Sequence, residues 1–213
     1  MTVEHPHRLP GRLRPVAPAA PAGRGASGNG VSEARPSRLP GDRPPADEIA
    51  RMLRVDHAGE YGATRIYQGQ LDVLGRSRGA DEVRRMAETE KRHLARFEEL
   101  LHERRVRPTI LYPLWSIAGY AVGAATALLG ARAAMACTVA VEEVIDEHYR
   151  TQADYLYEED PELRETILSF RDDELVHREM AIAHGAEDTP GYDLIGAAVK
   201  VGSRIAIWLS TRF

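Results

Sequence analysis

Two segments of the sequence place a histidine three residues after a glutamate. Because residues three apart lie on one face of an α-helix, each pair can offer a carboxylate and an imidazole to the same site. A lone glutamate precedes one pair by 30 residues and the other by 32. Helical bundles that hold two iron or manganese ions use such a set of four carboxylates and two imidazoles. The candidate metal ligands are Glu60, Glu90, His93, Glu142, Glu174 and His177.

These six residues lie on helical stripes whose other members are mostly apolar, so we expect them to face the core. Buried carboxylates are costly unless they are paired or bound to a metal, and four of them together would repel one another. Two divalent cations would balance the four carboxylates. Ligation by many oxygens and a few imidazoles favours iron or manganese over zinc. A single glutamate–histidine pair is usually solvated, but its repetition at matched spacing predicts a dinuclear metal site.

One helical segment contains two adjacent glutamates, and the helical period chooses between them. Glu142 shares its face with Ile145 and other apolar residues. Glu143, in contrast, shares its face with Asp146. The pattern therefore predicts Glu142 as the ligand, with Glu143 and Glu147 in solvent.

Other side chains could support the ligands. Asp173 could accept a hydrogen bond from a ligating imidazole, with His93 as the favoured partner, or it could be a surface acid. Asp56 lies one turn before Glu60 on the same stripe and is a second candidate for such a role. Tyr149 points inward, where it could contact a substrate or relay an electron. A tyrosine in such a position is more often a core aromatic with a bonded hydroxyl.

The chain divides into an irregular start and a helical remainder. Residues 1–46 are rich in Pro, Gly, Ala and Arg without a helical or alternating period, so we predict that they are disordered. Residues 47–213 form the predicted domain. Asp47 and Asp81 are the expected N-caps of two helices, and Asp160 begins a later one. Two helical hairpins joined by a long crossover predict an all-α fold with a four-helix bundle.

Two segments outside the four bundle helices are strongly apolar. Residues 108–131 carry no charged side chain. The length of this segment is close to that of a helix that spans a bilayer. Prolines and glycines interrupt the segment, which favours an apolar crossover lying against the bundle over a true span. Residues 194–213 form a predicted C-terminal amphipathic helix, which would either lie in a membrane interface or cap the bundle. Together the two segments favour peripheral contact with a membrane.

Charge and cysteine content exclude some functions. The formal net charge of −4 gives no electrostatic case for nucleic-acid binding. Cys137 is the only cysteine, so the chain cannot form an intramolecular disulfide. Its neighbours are small and apolar, which predicts a buried and unreactive thiol.

Long and specific motifs occur at 55–63 (VDHAGEYGA), 107–109 (RPT), 126–130 (TALLG), 134–143 (AMACTVAVEE), 170–177 (FRDDELVH) and 204–207 (RIAI). In these motifs the sequence resembles the demethoxyubiquinone hydroxylases from about residue 48 to the C terminus. The resemblance implies a ferritin-like di-iron fold and membrane association. It also implies that O2 and two iron ions hydroxylate the ring of demethoxyubiquinol in ubiquinone biosynthesis.

The resemblance also assigns roles to particular residues. By position, the family's iron ligands fall on the six residues chosen above from their spacing. The proposed electron-relay pair of the family falls on His148 and Tyr149. The substrate has a long isoprenoid tail, so the apolar crossover and the C-terminal helix would admit its ring from the bilayer. Other ubiquinone-biosynthesis proteins are further candidate partners.

Three other functions would use part of the same features. A ferroxidase or peroxide-consuming bundle needs the metal ligands but no apolar crossover. A membrane-associated di-iron quinol oxidase would share both, and a non-enzymatic quinone-binding or scaffold protein would need only the apolar surfaces. The expected location is the cytoplasmic side of a bacterial cell membrane, with the matrix side of the mitochondrial inner membrane as the alternative.

Overall fold

The computed structural model describes residues 41–77 and 79–213, of which Arg43–Phe213 form one compact unit. The described residues contain helices and no strands. The helices are α1 (Pro45–Leu74), α2 (Ala80–Glu103), α3 (Tyr112–Leu128), α4 (Ala131–Glu159), α5 (Pro161–Ala183) and α6 (Tyr192–Ser210). The disorder predicted for residues 1–46 falls largely outside the described residues, and the last two of those residues already belong to α1.

Four of the helices form the bundle that the sequence predicts. α1 packs against α2, and α4 packs against α5, so the two expected hairpins are confirmed. The other two helices lie on the outside of this bundle: α3 packs along α1, and α6 packs mainly along α4. The architecture is an all-α, ferritin-like bundle with a helical crossover and an additional C-terminal helix.

The predicted helix start is confirmed for α5, whereas the predicted N-caps of α1 and α2 differ from those in the structure. Helix α5 starts at Asp160 and Pro161 as predicted, and the carboxylate of Asp160 also caps it, because its Oδ1 atom accepts a hydrogen bond from the Leu163 backbone N–H at 3.0 Å. The prediction that Asp47 and Asp81 are N-caps is wrong, since both lie in the first turn of their helices. Pro45 begins α1 instead, because its fixed φ suits the first helical position and it has no N–H to leave unpaired. Both acids still favour the helix electrostatically at its positive end.

The apolar crossover is itself a helix, whereas the sequence pattern suggested an interrupted segment. The glycines of this segment do not interrupt the helix. Glycines on α1 and α3 instead allow the two helices to pack closely together. A Cβ atom on Gly123 would lie 1.9 Å from the carbonyl oxygen of Ile66 in α1, and one on Gly69 would lie 2.2 Å from the carbonyl oxygen of Tyr120. In the part of the chain that the structure describes, no helix is both long and apolar enough to cross a membrane.

The core consists of two apolar clusters, one towards each end of the bundle. Leu53, Phe97 and Ile167 belong to the first cluster. Tyr67 and Met86 belong to the second cluster, together with residues of α4 and α5. On every bundle helix the candidate metal ligands fall between residues of these two clusters. The polar side chains therefore form a layer that is closed above and below by apolar packing.

Candidate metal centre

The structure brings the six predicted ligands together in the middle of the bundle. Each bundle helix contributes at least one of them, and each of the six is exposed by 4% or less. They are Glu60 from α1, Glu90 and His93 from α2, Glu142 from α4, and Glu174 and His177 from α5. The lone glutamates and the two glutamate–histidine pairs thus converge although they are far apart in sequence.

The six residues form two overlapping groups. One group contains Glu60 and His93, and the other contains Glu142 and His177. Glu90 and Glu174 belong to both groups. Within each group one donor atom from every residue lies within 4.8 Å of the others. Two terminal carboxylates, two imidazoles and two shared carboxylates are the donors that a pair of neighbouring cations requires.

The closest contacts in the site join imidazole nitrogens to carboxylate oxygens. The Nδ1 atom of His93 lies 3.1 Å from Oε1 of Glu174. The Nδ1 atom of His177 lies 3.0 Å from Oε1 of Glu90 and 2.9 Å from Oε2 of Glu174. Both rings therefore direct the same nitrogen atom towards the shared carboxylates.

These donor atoms fit a bound metal ion better than a hydrogen-bonded network. The His93 Nδ1 and Glu90 Oε1 atoms are buried and have no hydrogen-bond partner among the described residues. Unpaired polar atoms in a protein interior are costly. Lone pairs that converge without aligned hydrogen bonds can instead point at a shared cation. The site could therefore bind metal, and its many oxygens with two imidazoles suit iron or manganese.

The electrostatics of the site reflect four buried carboxyl groups. Burial, reinforced by the neighbouring carboxylates, raises the pKa of Glu90 and Glu142 well above 4.5. Burial disfavours the charged form of His93, but the adjacent carboxylates outweigh it and raise the pKa of His93 to about 10. Burial also opposes ionisation of Glu174, yet His177 and His93 lower its pKa to about 2. A bound cation would displace the protons that the site otherwise holds.

The contact predicted between Asp173 and His93 is present. The Nε2 atom of His93 lies 3.0 Å from Oδ2 of Asp173, which is half exposed. A proton on Nε2 that is donated to Asp173 leaves Nδ1 as the nitrogen that faces the carboxylates. The ring of Phe170 stacks on the ring of His93, with 4.0 Å between the two centroids. The orientation of the imidazole is therefore fixed by a charge and by an aromatic ring.

Two buried tyrosines donate hydrogen bonds to the site. The hydroxyl of Tyr67 donates to Oε1 of Glu142 at 3.0 Å, and the hydroxyl of Tyr149 donates to Oε1 of Glu60. Burial and the nearby carboxylates raise the pKa of both tyrosines well above 10, so both remain neutral donors. The sequence placed Tyr67 on the apolar stripe but did not identify this contact. The sequence feature that could have indicated this contact is the position of Tyr67, two turns after Glu60 on the same face of α1.

Asp56 and His148 form a second polar cluster between α1 and α4. Asp56 lies on the face of α1 that carries Glu60. The Nε2 atom of His148 lies 3.0 Å from Oδ1 of Asp56, and Gln152 donates to the same oxygen at 2.7 Å. Asp56 thus contacts His148 rather than a ligating imidazole. The His148 ring lies 6.1 Å from the Tyr149 ring, measured between centroids, and its side chain is 20% exposed.

The choice between the adjacent glutamates agrees with burial. Glu142 is 3% exposed and faces the site, whereas Glu143 is partly exposed. The expectation that Glu143 and Glu147 are simply solvated is incomplete. Glu143 pairs with Lys200, and Glu147 lies 3.3 Å from Arg204. Both acids therefore hold α6 against α4, an arrangement that no periodicity within α4 could predict.

An apolar groove runs beside the ligand layer between α3 and α6, and α1 and α4 form its floor. Its volume is about 420 Å³. Gly59 and Ala63 line the floor on either side of Glu60, and Val141 lines it next to Glu142. The groove therefore brings a mostly apolar space to the helix turns that carry two of the candidate ligands.

The fold and this donor set define a class: ferritin-like helical bundles with a buried carboxylate and histidine site that could bind metal. Within that class, the chain belongs to the family described as Ubiquinone biosynthesis protein COQ7, whose model matches residues 47–210. The resemblance seen in the sequence motifs is confirmed.

Curated relatives cover most of the chain. A Rhodospirillum rubrum protein named 3-demethoxyubiquinol 3-hydroxylase is 52% identical over 188 residues, covering 88% of this chain and 87% of the relative. A Homo sapiens protein named NADPH-dependent 3-demethoxyubiquinone 3-hydroxylase, mitochondrial, is 51% identical over 77% of both chains. A Saccharomyces cerevisiae protein named 5-demethoxyubiquinone hydroxylase, mitochondrial, is 40% identical over 77% of this chain and 78% of the relative.

Proposed function

We propose that this protein is a di-iron monooxygenase that hydroxylates the ring of demethoxyubiquinol in ubiquinone biosynthesis. Family membership and the hydroxylase names of relatives about half identical in sequence support this activity. The convergence of six buried carboxylates and imidazoles on two overlapping groups is the observation that carries the proposal. A hydroxylase that uses O2 needs a redox-active metal or an equivalent cofactor, and this donor set suits iron.

Glu60 and His93 would hold one ion, Glu142 and His177 would hold the other, and Glu90 and Glu174, which belong to both groups, would be shared between the two ions. A bound iron pair would supply the two electrons that, with two protons, reduce one oxygen atom of O2 to water while the other atom enters the ring. The protein's own contribution is to fix the donors and exclude bulk water. The tyrosine hydroxyls hold the two terminal carboxylates, and the apolar clusters close the layer at both ends.

We assign the role of an electron relay to His148 and Tyr149. His148 is partly exposed, whereas Tyr149 is buried and donates to Glu60. The two neighbouring rings therefore extend from the solvent side of α4 to a proposed ligand. Asp56 holds the imidazole of His148 in place.

The apolar groove is the proposed site for the substrate ring and the first part of its tail. Its floor lies next to Glu60 and Glu142, and its walls are apolar side chains with few polar groups. An apolar space suits a quinol with an isoprenoid tail, because the tail loses contact with water on binding.

We also propose that α3 and α6 make peripheral contact with a membrane. Both helices expose large apolar side chains on either side of the groove. These are Leu114, Ile117, Val122, Val201, Ile205 and Trp208. A tail could then pass between the bilayer and the groove without crossing water. The relatives named as mitochondrial fit the mitochondrial alternative, and the bacterial cell membrane stays a prediction. Contact with other ubiquinone-biosynthesis proteins remains part of the proposal.

The experiment that tests the activity is product analysis with labelled oxygen. Iron-loaded protein, demethoxyubiquinol, a reductant and ¹⁸O2 should give a hydroxylated quinol that carries one ¹⁸O atom. The control is a Glu90→Ala variant under the same conditions, which should give none. Consumption of O2 with oxidised but unhydroxylated quinone would instead indicate a quinol oxidase. Failure to produce any hydroxylated quinol with full iron occupancy would overturn the proposal.

A further inference from the structure

A second cavity lies where the start of α1 meets the end of α6. Its volume is about 530 Å³, and half of the residues that line it are arginines. The lining residues are Arg43, Arg51, Ile207, Trp208, Thr211 and Arg212. We refer to this cavity as the arginine cleft. It is lined by none of the proposed metal ligands, so the proposed metal chemistry does not account for it.

The arginine cleft carries an excess of positive charge. Glu48 pairs with Arg51 and lies 3.8 Å from Arg43. The Arg51 hydrogen bond lowers the pKa of Glu48, which keeps this carboxylate ionised. Glu48 is the acidic side chain that forms these ion pairs with Arg43 and Arg51, and the charge of Asp56 also acts on Arg51. Three guanidinium groups line the cleft and no acidic side chain is among its lining residues, so the cleft favours an anionic ligand.

Arg212 is held in a defined orientation at the mouth of the cleft. Its guanidinium lies over the ring of Trp208, 3.8 Å from the centroid, and donates to the Trp208 carbonyl oxygen at 2.8 Å. A guanidinium that is already oriented loses less entropy when it binds a ligand. The remaining N–H groups of the Arg212 guanidinium stay available to a ligand that offers several oxygen atoms.

We propose that the arginine cleft binds a phosphate group, carried either by a membrane phospholipid or by a soluble phosphate compound. A phosphate offers several oxygens to the paired N–H groups of arginine, and its charge matches the excess in the cleft. The Trp208 side chain is 53% exposed at the same place. An exposed tryptophan beside arginines is typical of a headgroup region, which connects this site to the apolar faces of α3 and α6.

Calorimetric titration of the full-length, iron-loaded protein with inorganic phosphate at constant ionic strength tests the site. Saturable binding is expected, and Arg51→Gln and Arg212→Gln should each weaken it about tenfold. Glu48→Gln should tighten binding, because it removes the competing carboxylate and frees Arg51. This gain cannot come from a failure to fold. Arg54→Gln is the matched control, since Arg54 is on the same helix but bonds the Arg107 carbonyl oxygen outside the cleft.

Two outcomes would overturn the proposal: no saturable phosphate binding by the unmodified protein, or equal weakening in Arg54→Gln. Sedimentation with vesicles then distinguishes the two sources of phosphate. If Arg212→Gln weakens binding to vesicles containing phosphatidylglycerol but not to those of phosphatidylcholine alone, the ligand is a lipid headgroup. If vesicle binding is unchanged while phosphate affinity falls, the ligand is a soluble phosphate compound. Iron content and hydroxylation of a short-tailed quinol are separate readouts, so failure here is distinguishable from failure of the proposed activity.

Discussion

The Oδ2 atom of Asp173 lies 3.0 Å from the Nε2 atom of His93, so a residue of α5 sets the orientation of an imidazole on α2. The contact joins the two helices that carry the glutamate–histidine pairs. It also determines that Nδ1, rather than Nε2, faces the buried carboxylates. A hydrogen-bond acceptor in this position makes the imidazole a better ligand.

Removing this acceptor should weaken metal binding without removing a ligand. For Asp173→Ala we expect a loss of about 10- to 100-fold in affinity for Fe(II), measured by competition with a chelator. Asp172→Ala is the matched control, because Asp172 is the exposed neighbour on the same helix. Equal affinities in the two variants would show that the contact does not support the site.

The adjacent glutamates of α4 provide a second paired test. Glu142→Gln should remove one ion from the site, because Glu142 is buried among the other ligands. Glu143→Gln should retain both ions and lose only the ion pair with Lys200. Iron content per chain, measured by mass spectrometry, separates the two. Full iron content in Glu142→Gln would contradict the assignment.

The stability of the metal-free protein should depend on pH in a defined direction. The folded protein keeps protons on Glu90 and Glu142 that the unfolded chain loses above pH 4.5, so the free energy of unfolding should fall as pH rises from that value. His93 acts in the same direction, and its contribution is lost as pH rises from 6.5 to about 10. Glu174 has the opposite sign, but its contribution is lost only below pH 4.5.

Urea unfolding at a series of pH values, with and without Fe(II) under anaerobic conditions, measures this effect. Bound metal should reverse the fall above pH 4.5, because metal replaces the protons. Glu142→Gln should make the metal-free curve flatter. A metal-free protein whose stability rises steadily from pH 5 to pH 8 would contradict the proposed electrostatics of the site.

If the apolar groove binds the substrate, a side chain that fills the groove should weaken substrate binding and leave the metal content unchanged. Gly202 lines the groove, and a Cβ atom there would meet nothing within 4 Å, so Gly202→Phe should place its ring in the groove without displacing the backbone of α6. We expect the KM for a long-tailed demethoxyubiquinol to rise on the order of tenfold with unchanged iron content. Ala197→Phe is the control, because Ala197 is an exposed residue of the same helix and is not among the residues that line the groove. Equal KM values in both variants would exclude the groove as the binding site.

Periodicity within single helices was sufficient to predict much of the site. It identified the candidate ligand positions that meet in the structure and separated Glu142 from Glu143, because the face of a helix follows from its own sequence. Proline at the first helical position predicted the start of α5 at Asp160 and Pro161, and the need of an imidazole for an acceptor predicted the partner of Asp173. The resemblance then supplied a substrate that spacing alone could not name.

Contacts between helices were harder to predict, because they depend on how far one helix slides along another. The bonds from Tyr67 to Glu142 and from His148 to Asp56 join residues on different helices, and no pattern along one helix sets their alignment. The crossover lies against the bundle as predicted, but its helical form was not predicted, for a related reason. Its glycines looked like helix breakers, but Gly123 packs against the backbone of α1, which only the folded structure reveals.

The proposed activity requires that Glu60, Glu90, His93, Glu142, Glu174 and His177 hold two iron ions. The most direct measurement is iron stoichiometry after anaerobic loading with ⁵⁷Fe(II), with Mössbauer spectra of the loaded protein before and after exposure to O2. We predict two iron ions per chain, spin-coupled after oxidation, and loss of both in Glu90→Ala and Glu174→Ala, because each removes a shared carboxylate. One uncoupled ion per chain, or full iron content in these variants, would contradict the account.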